Sequence, residues 1–152
     1  MKKTNAIASI IGIATLAGCS AKEATAATLD LMVGKDRAAD VAVTTVNIGK
    51  DFGNFNVSAQ VNHAINNYTT YGAGVEYTAL TYKGANLGVS GAVAYVDPKT
   101  GSTGYTGSYG VFVTHPLSKT VAVKAAYART DDLKDAAGMV GHGVTVGLTT
   151  SF

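Results

Sequence analysis

Beyond residue 26 the sequence predicts an all-β fold: eight antiparallel strands in up-and-down order, closed into a barrel. Three observations predict it. Apolar residues recur at every second position, the period of a strand, and helical spacing is nearly absent. Clusters of Gly, Asn, Asp, Pro and Ser break that alternation seven times, which separates eight segments. The face opposite the apolar one carries small uncharged groups, where a solvated sheet would carry many Lys and Glu residues.

Residues 1–26 are set aside first, as a signal peptide. Lys2 and Lys3 make a positive start, and Ile7 to Leu16 make an apolar run too short to span a bilayer as a helix. Two cleavage patterns compete. "LAGC", ending at Cys19, resembles the lipobox of bacterial lipoproteins, in which the cysteine becomes the lipid-modified first residue. Ala24-Thr25-Ala26 is a small-x-small site of the ordinary kind, with Ala21 a further small residue nearby. Cys19 is the single cysteine, so an intramolecular disulfide is excluded. Without Lys2 and Lys3 the chain carries ten basic and ten acidic side chains. That balance, with no basic run, leaves no footprint for nucleic acid. Residues 27–152 suit one domain.

The segments follow in order. The first two, about 28–35 and 41–49, are the least regular, and "VAVTTVNIG" changes phase at Thr44-Thr45, which predicts a bulge. In 55–65, Phe55, Val57, Ala59, Val61 and Ile65 share a face, with His63 the exception. Segment 71–79 sets Tyr71, Ala73, Val75, Tyr77 and Ala79 on its apolar face, and 87–95 sets Leu87, Val89, Val93 and Tyr95 there. Segments 105–113, 121–127 and 144–152 repeat the pattern. The intervening turn signals are "GKDRAAD", "GKDFGN", "INNY", "YKGAN", "DPKTGSTG", "HPLSK" and "DDLKDAAGMVGHG", and Pro98 and Pro116 fall in them. "NFNVSAQVNHA", "NLGVSGAVAYV" and "KTVAVKAAYAR" begin at residues 54, 86 and 119, a repeat of one hairpin.

Alternation alone fits a soluble sandwich as well as a membrane barrel, and placement decides between them. Tyr71, Tyr95, Tyr105 and Tyr127 fall towards one set of strand ends, and Phe55 and Phe152 towards the other, as two aromatic girdles at two membrane interfaces would. Nine to eleven tilted residues cross a hydrocarbon layer, and there closure satisfies every backbone group. The expected architecture is therefore an eight-stranded antiparallel up-and-down transmembrane β-barrel.

The ending "GVTVGLTTSF" places Val144, Val146 and Leu148 on one face before a terminal Phe152. It resembles the C-terminal signal of bacterial outer-membrane proteins that the barrel-assembly machinery reads; Thr150 departs from it. The chain as a whole is similar, in pattern and length, to the small eight-stranded outer-membrane barrels, the class of the opacity proteins and the OmpA membrane domain. The resemblance implies a bacterial outer-membrane location, contact with outer-membrane lipids and the assembly machinery, and a monomer.

Function is less legible. "GAGVEY" precedes no helix, so it is no phosphate loop. His63, His115 and His142 make no metal spacing on one strand, and no cofactor is expected. Some barrels of this class modify lipid A with a serine beside a histidine; His63 has no outward serine beside it, so no enzymatic activity is expected. A structural or surface-interaction role leads, a small passive pore is the alternative, and a lipoprotein modified at Cys19 is a further one. Glu76 and Lys124 fall on the inward phase midway along the fourth and seventh strands, where an unpaired charge costs several kcal/mol. They are expected to pair across the lumen.

Overall fold

The computed structural model describes residues 26–36 and 40–152. The leader, with Cys19 and the competing cleavage sites before Ala26, lies outside the described residues. The strands are β1 (Ala27–Asp36), β2 (Val41–Phe52), β3 (Phe55–Ala64), β4 (Tyr68–Tyr82), β5 (Ala85–Pro98), β6 (Gly104–Pro116), β7 (Val121–Lys134) and β8 (Gly141–Ser151). Each pairs antiparallel with the next, and β8 pairs with β1, so the sheet closes. The termini meet in that seam: the Phe152 N–H donates to the Ala27 carbonyl and the Ala27 N–H to the Phe152 carbonyl, both at 3.0 Å.

Closure fixes the geometry. Pairing leads from Asp36 through Gly143, Ala128, Gly110, Ser90, Glu76 and Asn56 to Asp51, whose N–H bonds the Ala26 carbonyl. One circuit thus returns to the first strand ten residues lower, 36 − 26. Eight strands with that stagger tilt by about 40° to the barrel axis.

Side-chain period does the rest. On β1, Thr28, Asp30 and Met32 are buried in the interior while Leu31 and Val33 lie exposed on the outside. The same inversion runs round the barrel, with Ile48, Val75, Val89, Val93, Val111 and Val146 outward and exposed. The interior is closed at the end remote from the termini by a small apolar cluster of Val43, Ala64, Tyr68, Val96 and Ala136.

The structure corrects several expectations. The β1–β2 and β2–β3 registers run without a break through Thr44-Thr45, so the phase change there is no bulge. It arises because Val43 points inward under the apolar cap, whereas Thr45 and Asn47 point into the polar lumen below. Register shifts fall instead between Thr78 and Leu80 and between Tyr105 and Thr106. Strands β4 to β7 run longer than their alternating segments, because backbone pairing continues where polar residues such as Thr81, Asp131 and Asp132 end the hydrophobic pattern. Pro98 and Pro116 end β5 and β6 rather than lying in connections. "DDLKDAAGMVGHG" shrinks to 135–140, with a short 3-10 turn at Ala137–Met139, because its ends join β7 and β8.

Candidate functional site

The chemistry-bearing side chains meet in the middle of the lumen. Lys124, on β7, is 3% exposed. Its ammonium donates to Glu76 Oε1 and Oε2 at 2.6 and 2.7 Å and to Asp30 Oδ2 at 2.6 Å. The partners stand on β4 and β1, so one nitrogen ties three strands that do not neighbour one another. The sequence placed Glu76 and Lys124 on the inward phase at similar depth; the structure brings them together and adds Asp30. Its signal was present: Asp30 alternates with Leu29, Leu31 and Val33. Met32 on the same inward phase obscured it.

Two glycines allow close approaches beside the lysine. Gly147 pairs with Lys124, and a Cβ there would collide with the Leu31 carbonyl oxygen of β1. Gly88 leaves room for the inward Phe112 ring, against which the Lys124 ammonium lies 5.3 Å from the centroid. A cation over a ring face in a desolvated place contributes on the order of 1–2 kcal/mol.

Polar layers flank the ion cluster. Below it, Asn56 donates to Thr28 Oγ1 at 2.9 Å and to Asp51 Oδ1 at 2.7 Å. Beside it, Asn47 Nδ2 donates to Asp30 Oδ2 at 3.3 Å. Above it, Thr45 donates to Asn62 Oδ1 at 2.6 Å, and Asn62 donates on to Thr70 at 2.8 Å. At the cap the Tyr68 hydroxyl donates to Asp36 Oδ2 at 2.6 Å. The lumen is thereby split. A cavity of about 190 Å³ lies on the capped side and one of about 240 Å³ on the side of the termini, and Glu76 and Lys124 line both. The cluster stands between them as a cross-brace.

The outer surface carries the remaining candidates. Tyr71 pairs with Tyr95 and Tyr95 with Tyr105, a continuous row near one rim. Tyr95 and Tyr105 meet edge to face, centroids 5.5 Å apart. Phe55 lies near the other rim against Tyr77, which the girdle reading omitted, at 4.8 Å. Phe152, 74% exposed, sits at that same end. Tyr127 does not belong to the rim row. It pairs with Val111 and Val144 midway along β7, where its hydroxyl reaches His142 Nδ1 at 2.7 Å and the rings stack. Strand phase, read without the stagger of neighbouring strands, gives a residue's face but not its height. Val144, Val146 and Leu148 all face outward and are exposed.

A closed eight-stranded antiparallel barrel, apolar outside and polar within, is the architecture of the transmembrane β-barrels. Solved structures agree on that fold. A de novo designed transmembrane barrel matches with a TM-score of 0.62 at 8% identity, over 86% of this chain and 98% of that one. A second designed barrel, solved by NMR, gives 0.56 at 9% identity, over 85% and 95%. The crystal structure of Neisserial surface protein A gives 0.59 at 14% identity, over 84% of this chain and 95% of that one. No family model and no curated protein matches the sequence.

Proposed function

We propose that the chain is an integral barrel of a bacterial outer membrane with a structural or surface-interaction role and no chemistry of its own. The observation that carries this is the inversion of its burial: Val33 is 62% exposed, while Lys124 is 3% exposed. Such a surface is stable against lipid and not against water. In this reading the leader exports the chain, and Val144, Val146, Leu148 and Phe152 present it to the barrel-assembly machinery. The end holding the termini and the turns at 53–54 and 83–84 then faces the periplasm, where barrel turns are short. The barrel acts as a monomer among outer-membrane lipids, and Cys19 is a lipid-attachment point if the leader is cut there.

The test is extraction and electrophoresis. The protein should resist alkaline carbonate and migrate differently when boiled and unboiled. Release by carbonate with identical mobilities refutes the reading. A small passive pore is the second reading, favoured by the two lumen cavities; there the Lys124 brace limits the flow.

A further inference from the structure

The capped rim carries a crevice that the lumen does not use. His63, Thr69 and Asp97 form one cross-strand row on the outward phase of β3, β4 and β5. His63 Nδ1 lies 2.9 Å from Thr69 Oγ1. The connections beside this row are clamped together. The Lys99 N–H donates to the Asn67 carbonyl at 2.8 Å, and the Lys99 ammonium donates to Asn66 Oδ1 at 2.7 Å. They enclose a crevice of about 290 Å³ with Ala64 and Tyr68 among its walls. That volume is at the small end of ligand sites, enough for a headgroup unit and not for a whole lipid.

Depth points to the occupant. Two residues along the outward phase from Thr69 and Asp97 stand Tyr71 and Tyr95, which pair and continue to Tyr105. An aromatic row of this kind marks the edge of the hydrocarbon. The crevice therefore opens at headgroup level.

We propose that it binds the phosphorylated sugar headgroup of an outer-leaflet lipid. The proposal rests on the reading above that this rim faces away from the cell. Lys99 spends one of its three N–H groups on Asn66 and keeps two for phosphate oxygens, the strongest contacts a lysine makes. His63, Thr69 and Asn67 supply the mixed donors and acceptors that sugar hydroxyls need. The lipid's acyl chains then lie along Tyr71, Ala73, Val93 and Tyr95 on the same wall. Because the loop clamp already holds Lys99, binding pays less to order it.

The test titrates the purified, ¹⁵N-labelled protein in detergent micelles with bis-phosphorylated lipid A, with dephosphorylated lipid A, and with inorganic phosphate. The phosphorylated lipid should shift the amides of residues 63–69 together with those of Asp97 and Lys99. The dephosphorylated lipid should bind about tenfold or more weakly, the loss expected for charge-assisted bonds. Lys99→Ala should show the same loss, Lys99→Arg should retain binding, and Asn66→Ala, which frees the clamp, should weaken it. Equal shifts from both lipids, spread round the Tyr71–Tyr95–Tyr105 row, overturn the site. Equal binding of inorganic phosphate alone overturns the lipid as its occupant. Boiled and unboiled mobilities of the same samples separate the two readings. A heat-shifted Lys99→Ala that binds like wild type defeats the crevice alone, and a protein with no heat shift defeats the membrane reading and the crevice with it.

Discussion

Replacing Lys124 by methionine keeps the aliphatic stem and its packing on Phe112 but removes the charge. Asp30 Oδ2 and Glu76 Oε1 each lie 2.6 Å from the ammonium nitrogen, so the substitution strands two carboxylates close together in a narrow lumen. Breaking a buried pair from one side costs about 3–5 kcal/mol. The Glu76 side chain keeps 21% exposure towards the lumen, which places the cost at the lower end, about 3 kcal/mol. Urea unfolding in lipid vesicles, followed through tyrosine fluorescence, measures it. Adding Asp30→Asn and Glu76→Gln to Lys124→Met should recover most of the loss, because no buried charge remains. The corresponding cycle should give a coupling of about 1–3 kcal/mol. A Lys124→Met barrel within about 0.5 kcal/mol of wild type, or strictly additive losses, would show that the brace contributes no stability.

Further outcomes follow from the wall and the seam. Tyr68→Phe removes the hydroxyl that donates to Asp36 and should cost about 1.5–3 kcal/mol, the range for a bond to a charged group, read by the same unfolding assay. Phe152→Ala should lower the amount of folded barrel in the outer membrane while leaving export unchanged, because the seam bonds use its backbone and not its ring; normal folded levels would show that the ring is not read. If the leader is cut at Cys19, radiolabelled palmitate should enter the protein and Cys19→Ala should abolish it, whereas an unlabelled protein beginning near Ala27 contradicts that cleavage.

How much of this was legible in the chain depends on where the outside wall meets lipid. Period-two runs such as "FNVSAQVNHAI" are forced by a boundary that is apolar on one side only, and they fixed strand number and face. The inward charges were legible because so few charged residues share that phase; Glu76 and Lys124 stood out against Gly74, Thr78 and Ala126. Asp30 was hidden by Met32, and Val43 and Tyr68 by the apolar cap, since a lumen mixes polar and apolar layers while the lipid face does not. Strand ends were hidden for a related reason: past the membrane, β7 continues through Thr130, Asp131 and Asp132 on backbone hydrogen bonds, which leave no hydrophobic mark. Tyr127 was set too near the rim because a strand's stagger depends on all its neighbours. The crevice at His63 and Lys99 unites residues more than thirty positions apart, and no local pattern announces it.

Conductance in planar bilayers tests the braced lumen most directly. Two cavities meet at one ammonium that holds Asp30 and Glu76, so the refolded wild-type barrel should show no sustained channel current. The Lys124→Ala, Asp30→Ala, Glu76→Ala barrel, with the side chains of the brace cut away and no charge stranded, should pass current. Steady conductance through wild type, unchanged by those substitutions, would contradict the account.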